Sequence, residues 1–181
     1  NVEIKLYNKA NPLKPWKTMG RMHDKYLIAD GKIYILGGRN TYNYFLGDFP
    51  GHKNFDRDVL VVCDEPQKDN SVNQLWNYFE TIWEQEDCRY FHNSKKLADR
   101  QSVKKAVLEL QEGYQQYFEV NKEKICDKDY ADETFETEKI TLLSNPIHTQ
   151  AKEPVVWYQL GELMKNAKER VKIHTPYIIC N

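Results

Sequence analysis

The sequence predicts an α/β fold, a sheet flanked by helices, and three observations predict it. Alternating or unbroken apolar runs at residues 2–6, 26–29, 32–36 and 59–63 read as strands. Apolar side chains recur at helical spacing in the stretches that begin near residues 71, 94 and 154. Between two of the strand runs stands Asp30-Gly31, a strong hairpin signal.

Taken in order, Val2, Ile4 and Leu6 alternate with Glu3, Lys5 and Tyr7, the pattern of a strand packed on one face. Residues 8–20 carry two prolines, Trp16 and several polar or basic positions, and form a loop. Lys14 and Lys17 either line a substrate mouth or are solvated, with Trp16 tucked against the core. A strand then carries His23 and Lys25. Residues two apart on a strand project from one face, so the imidazole can attack while the ammonium holds a negative group beside it.

Residues 32–36 return antiparallel after Asp30-Gly31 and bring Gly37, Gly38, Arg39 and Asn40 back near His23. Paired glycines let the backbone approach a ligand, and the Asn40 amide can donate to a phosphate oxygen. Residues 41–46 read as a short helical turn, followed by a loop across the site. Tyr42, Tyr44, Phe45 and Phe49 there form either an apolar or stacking wall or ordinary packing. His52, on the same loop, lacks a lysine two residues on.

Asp56, Arg57 and Asp58 lead into 59–63, an uninterrupted apolar run that reads as a buried strand. A carboxylate at that strand mouth can accept from one imidazole nitrogen and leave the other free to attack. A salt bridge to Arg57 is the plainer alternative. Ser71 and Gln74 have the spacing of a capping box, opening a helix that packs Val72, Leu75, Trp76, Phe79, Ile82 and Trp83 on the sheet. A longer helix is expected over 94–118, its Lys96, Arg100 and Lys104 forming a stripe opposite Leu97, Val107, Leu108 and Leu110. Such a stripe is either a solvated face or a contact to anionic headgroups. Residues 119–138 are dense in charge and lack periodicity, as in a linker. A strand over 139–143, a helix opened by Pro154 with Val156, Leu160, Leu163, Met164 and Ala167 inward, and a strand over 171–179 complete the chain.

The composition sets outer limits on function. A chain of 181 residues, 40% hydrophobic, can bury a core, and its formal charge of −1 supplies no global basic field for nucleic acid or anionic lipid. Any such affinity has to come from local patches. Cysteines at 63, 88, 126 and 180 form no CxxC pair and no zinc spacing, which favours reduced thiols in a cytosolic compartment. No apolar run approaches the roughly 20 residues of a membrane-spanning helix, and the chain opens on no signal-peptide pattern. The expectation is a soluble piece.

His23, Lys25 and Asp30 in the order H-x-K-x4-D, followed by G-G-R-N at 37–40, resemble the HKD motif of the phospholipase D superfamily. From average residue usage the first pattern alone arises by accident in roughly one chain in a hundred of this length. The resemblance covers residues 2–83 strongly. Over 141–178, where T-P-Y-I resembles the first unit of a second lobe, it is weaker, and between the two it is absent. It implies a phospholipase D-like mixed sheet flanked by helices, incomplete here: lobe one over 1–118, a charged linker over 119–138 and the start of a second lobe over 139–181. A second motif is expected outside this stretch or on a second subunit, because His52, His92, His148 and His174 have no lysine two places on. The chain then reads as an excerpt of a longer protein, nearly inactive by itself.

The activity that resemblance implies is phosphodiester transfer through a phosphohistidine, with no metal and no cofactor. His23 would be the nucleophile, with Lys25, Gly38 and Asn40 binding the phosphate. Asp58, or failing it Asp56, would orient the imidazole, and Asp30 would support the geometry of the motif. Within the superfamily the features most resemble the bacterial cardiolipin synthase type. That implies a phosphatidylglycerol-like phospholipid substrate, a second HKD lobe as partner, and a cytoplasmic location, peripheral at the inner face of the membrane. A nuclease with a nucleic-acid partner and a non-catalytic interaction lobe are the alternatives.

Overall fold

A computed structural model describes residues 2–42, 45, 51, 54–63, 69–91, 94–146 and 153–173. Strand β1 (Lys5–Tyr7) pairs antiparallel with β5 (Cys88–Tyr90). A second sheet has the order β2 (Lys25–Ala29), β3 (Ile33–Gly37), β4 (Asp58–Val62). Among the described residues every pairing is antiparallel, so the chain is α/β in content but the expected mixed sheet does not appear there.

The hairpin forms where Asp30-Gly31 predicts it. Both residues take positive φ, 52° and 65°, the left-handed geometry that matches the strand twist. Register then fixes the rest: Ile28 faces Tyr34, which faces Val61, and Lys25 faces Gly37, which faces Asp58. Helix α1 (Ser71–Trp83) covers the first of these rows, burying Val72 and Leu75 against Tyr34 and Val61. Tyr26, Ile28, Leu36, Tyr78 and Leu142 close the edges of this core. The other sheet face, which carries Lys25, leaves Leu27 and Ile35 exposed.

Several expectations change in detail. The cap of α1 is Asn70, whose side chain accepts from Asn73 N at 2.8 Å, and not Ser71. Gln74, freed from a capping role, accepts from Leu142 N at 2.8 Å and donates to Asp69 O at 3.0 Å. Strand β4 is not buried throughout. Val61 is buried in the cluster with Val72 and Leu75 of α1, while Val59, two residues along the same strand face, lies outside that cluster and is 60% exposed. Trp16 is 70% exposed and does not tuck into the core.

The long helix expected over 94–118 is two helices, α2 (Lys95–Ala98) and α3 (Gln101–Lys122), broken at Asp99 and Arg100. Lys96, Arg100 and Lys104 therefore do not form one continuous stripe. Helix α3 runs on into the expected linker, and Glu123–Asp127 and Ala131–Glu133 add a π-turn and a 3₁₀ turn. Charge density had masked helical geometry there. Residues 139–143 form no strand; the segment is held by side-chain contacts through Leu142 instead. Helix α4 (Val155–Lys165) follows Pro154 as expected, and Asn145 Oδ1 accepts from Val156 N at 3.0 Å to satisfy its first turn. Tyr44, Phe49, His52, His92, His148, His174 and T-P-Y-I lie outside the described residues.

Candidate functional site

Apart from Asp30, the site residues read from the motif fall on the end of the three-stranded sheet opposite the hairpin turn. Lys25 opens β2, Gly37 closes β3 and Asp58 opens β4, in one row across the sheet. Residues directly opposite share a face, so Lys25 and Asp58 flank Gly37 on the same side. The row stays narrow because Gly37 has no side chain. A Cβ there would overlap the Asp58 carboxylate and stand 2.8 Å from Asp58 Cα.

His23 is exposed, two residues before Lys25, and the Lys25 ammonium donates to the His23 carbonyl at 2.5 Å. That bond holds the cation against the histidine main chain and leaves two ammonium hydrogens for an anion. Gly38 and half-buried Asn40 follow β3, with the Asp56 carboxylate 3.1 Å from where a Gly38 Cβ would stand.

Asp58 has a partner that the sequence did not reveal. Arg39 Nε donates to its Oδ2 at 2.6 Å, while the two terminal nitrogens donate to the carbonyls of Phe45 at 2.7 Å and Asp56 at 2.8 Å. The guanidinium facing Asp58 is thus that of Arg39, not that of Arg57. Arg39 occupies the variable position of G-G-R-N, and only the register of β3 against β4 brings it there. Asp30 stands apart. It is exposed at the hairpin turn, five residues along β2 from Lys25 or about 16 Å at the rise of a strand, and touches nothing at the His23 end.

Next to His23 is a cavity of about 260 Å³, lined by Met22, Asp24, Tyr78, Leu142, Ser144 and Asn145 among others. Tyr78 donates to Asp24 Oδ2 at 2.6 Å and packs edge-on against Tyr26, the ring centroids 6.2 Å apart. Burial, and then the Asp24 charge, push the Tyr26 phenol up to about 12; burial and the Asp24 hydrogen bond raise that of Tyr78 further. Both stay neutral at physiological pH, Tyr78 as a fixed donor. Sequence reading missed this wall, since Asp24 falls on the unassigned position of H-x-K and Tyr78 lies on the core helix. Asp24 comes just before β2 and lines this cavity together with His23, and its contact to Tyr78 spans 54 residues, beyond any local signal.

Lys14 and Lys17 do not join the site. They line a separate depression with Asn8, Glu86 and Asp87, where Lys17 pairs with Asp87 at 3.3 Å. Among the described residues, no three His, Cys, Asp or Glu side chains are placed to hold a metal ion, and no helix is long and apolar enough to cross a membrane. Comparison with family models, with curated proteins and with solved structures returns no match for this chain.

Proposed function

We propose that His23 is the nucleophile of a phosphodiester transfer, acting on phospholipids as in phospholipase D-like and cardiolipin synthase-like enzymes. The observation that carries this reading is the row Lys25, Gly37, Asp58, with His23 and the Gly37-Gly38-Arg39-Asn40 segment at its open end. A cation, a side-chain-free backbone and an amide donor around one exposed imidazole are what a phosphoryl group needs as charge builds on its oxygens.

In the proposed reaction an imidazole nitrogen of His23 attacks phosphorus, forming a P–N bond as the P–O bond to the leaving alcohol breaks. A counterpart histidine from a second HKD lobe, on the same polypeptide or another subunit, protonates that leaving oxygen. The same counterpart then takes a proton from water or an acceptor alcohol, which attacks phosphorus, and the P–N bond breaks. Lys25 and Asn40 bind the non-bridging oxygens, and Gly38 gives them room. Asp58 Oδ1 is the atom that would take the imidazole N–H, since Oδ2 is held by Arg39. The adjoining cavity offers the reaction both apolar lining, from Met22 and Leu142, and polar groups, from Asp24, Ser144 and Asn145. The membrane contact would be peripheral, on the cytoplasmic side.

The test is phosphatidyl transfer by the full-length protein and its His23→Ala variant, given phosphatidylglycerol and an oligonucleotide as competing phosphodiesters. A lipid product, with a covalent phosphoenzyme that disappears in the variant, is expected. Cleavage of the oligonucleotide alone would reassign the protein as a nuclease, and turnover of neither would leave an interaction lobe.

A further inference from the structure

We infer that the loop over residues 8–20 is the surface that meets the membrane, with Leu13 and Trp16 entering the headgroup boundary of an anionic bilayer. The inference deepens the phospholipid reading and rests on it in one respect, that the substrate of that reaction lies in a bilayer. Leu13 is 83% and Trp16 70% exposed. Both project from a built loop. Asn8 Nδ2 donates to the carbonyls of Lys17 and Gly20, each at 2.6 Å, and closes the base of the loop. Bonds from Lys14 N to Asn11 O, Lys17 N to Lys14 O and Gly20 N to Lys17 O wind the segment into successive tight turns. Backbone order therefore holds two large apolar side chains out in water.

Charge and side-chain type together choose the occupant. Residues 4–23 contain no Asp or Glu, in a chain whose formal charge is −1. Beside the two apolar side chains lies the depression of about 280 Å³ already described, lined by Pro12 and Lys14, the chain neighbours of Leu13. Its cations are Lys9, Lys14, Lys17 and Arg89, and its acids are Glu86 and Asp87. Lys17 is taken by Asp87. Lys9, Lys14 and Arg89 are exposed and have no ion-pair partner among the described residues, so with Glu86 alone against them the depression stays positive. Cations beside an indole and a leucine suit an anionic interface, where ammonium groups lie among phosphates, the ring sits at headgroup depth and the leucine goes below it. A nucleic-acid strand would meet the same cations and could stack on Trp16, yet it offers nothing apolar to Leu13. Position fits as well. The loop ends at Gly20, three residues or at most about 11 Å of chain from His23, so docking it holds the site at the lipid surface.

The probe is a vesicle of phosphatidylcholine, alone or mixed equally with phosphatidylglycerol, cosedimented with the 181-residue chain. Binding to the mixed vesicles is expected, weakened by salt and lost from pure phosphatidylcholine. The double variants Leu13→Glu with Trp16→Glu, and Lys9→Glu with Lys14→Glu, should each lower partitioning about tenfold or more. Trp16→Phe should keep the binding while removing the quenching of tryptophan fluorescence by lipids brominated in the acyl chain. No binding, or binding indifferent to the loop variants, would overturn the inference. So would a chain that ignores the vesicles but binds an oligonucleotide through the same residues. Detergent-dispersed phosphatidylglycerol, given to the full-length protein, separates this surface from the reaction. Turnover there, together with vesicle binding that does not depend on the loop, would overturn the surface alone. Loop-dependent vesicle binding without turnover there would overturn the reaction and leave the surface standing.

Discussion

Arg39 Nε meets Asp58 Oδ2 at 2.6 Å, and the same guanidinium reaches the carbonyls of Phe45 and Asp56. One side chain therefore fastens the end of β3, the start of β4 and the segment between them. Replacing Arg39 by Ala should cost about 1–2 kcal/mol, mostly from the carbonyl bonds, since an accessible ion pair contributes about 1 kcal/mol or less. Arg39→Lys should recover little, because an ammonium cannot fork to three acceptors. Asp58→Asn keeps an acceptor and should cost less than Arg39→Ala. Urea unfolding midpoints rank the three.

The two glycines beside this contact are not equivalent. At Gly37 a methyl group meets the Asp58 backbone, whereas at Gly38 it meets the end of the Asp56 side chain, 3.1 Å away. Gly37→Ala should destabilise the chain by roughly 2–3 kcal/mol, as overpacking does. Gly38→Ala should cost under about 1 kcal/mol, because a carboxylate can swing aside. Comparable losses at both positions in thermal unfolding would refute the register of β3 on β4.

The start of α1 offers a second contrast. Asn70→Ala removes the side chain that accepts from Asn73 N and should cost about 1 kcal/mol, with Asn70→Asp nearly neutral. Gln74→Ala should leave the cap intact and instead speed hydrogen exchange at the Leu142 amide, which Gln74 Oε1 holds. Had Ser71 and Gln74 formed the capping box that their spacing suggests, Gln74→Ala would loosen the helix start.

Alkaline pH probes the tyrosine wall. Tyr26 ionises in the unfolded chain near its ordinary value of 10 and in the folded one at about 12, and the Tyr78 value is also raised. The folded state then holds more protons across that window. Stability from this source is complete below pH 10 and is lost as pH rises toward 12. Tyr26→Phe should flatten the fall in melting temperature over that interval. Tyrosinate absorbance should show the two phenols titrating after the exposed ones.

The hairpin, α1 and the existence of α4 were legible because each rests on local chemistry: a left-handed turn at Asp30-Gly31, a helical apolar period, a proline at a helix start. The inward stripe expected of α4 was not found, since Leu160 is 42% and Leu163 63% exposed. What was hidden depends on partners distant in sequence. Arg39 became the mate of Asp58 only through pairing of β3 with β4, and β5 is a strand only because β1 lies beside it. Val59 belongs to an apolar run that promised full burial, yet of that strand only Val61 is buried with α1. The break between α2 and α3 followed no proline or glycine, and the charged residues of 119–122 continue a helix on which they are simply solvated.

The bond from Leu142 to Gln74 spans 68 residues, and Leu142 packs on the core that Leu75 anchors. During synthesis at about 5–20 residues per second, that flank of the core would wait roughly 3–14 seconds for its last piece. A nascent chain would present Leu75 and its neighbours to the ribosome exit environment for that interval. Holding Tyr26, Leu36 and Tyr78 soluble until Leu142 arrives is then a task for chaperones or for slow, orderly translation.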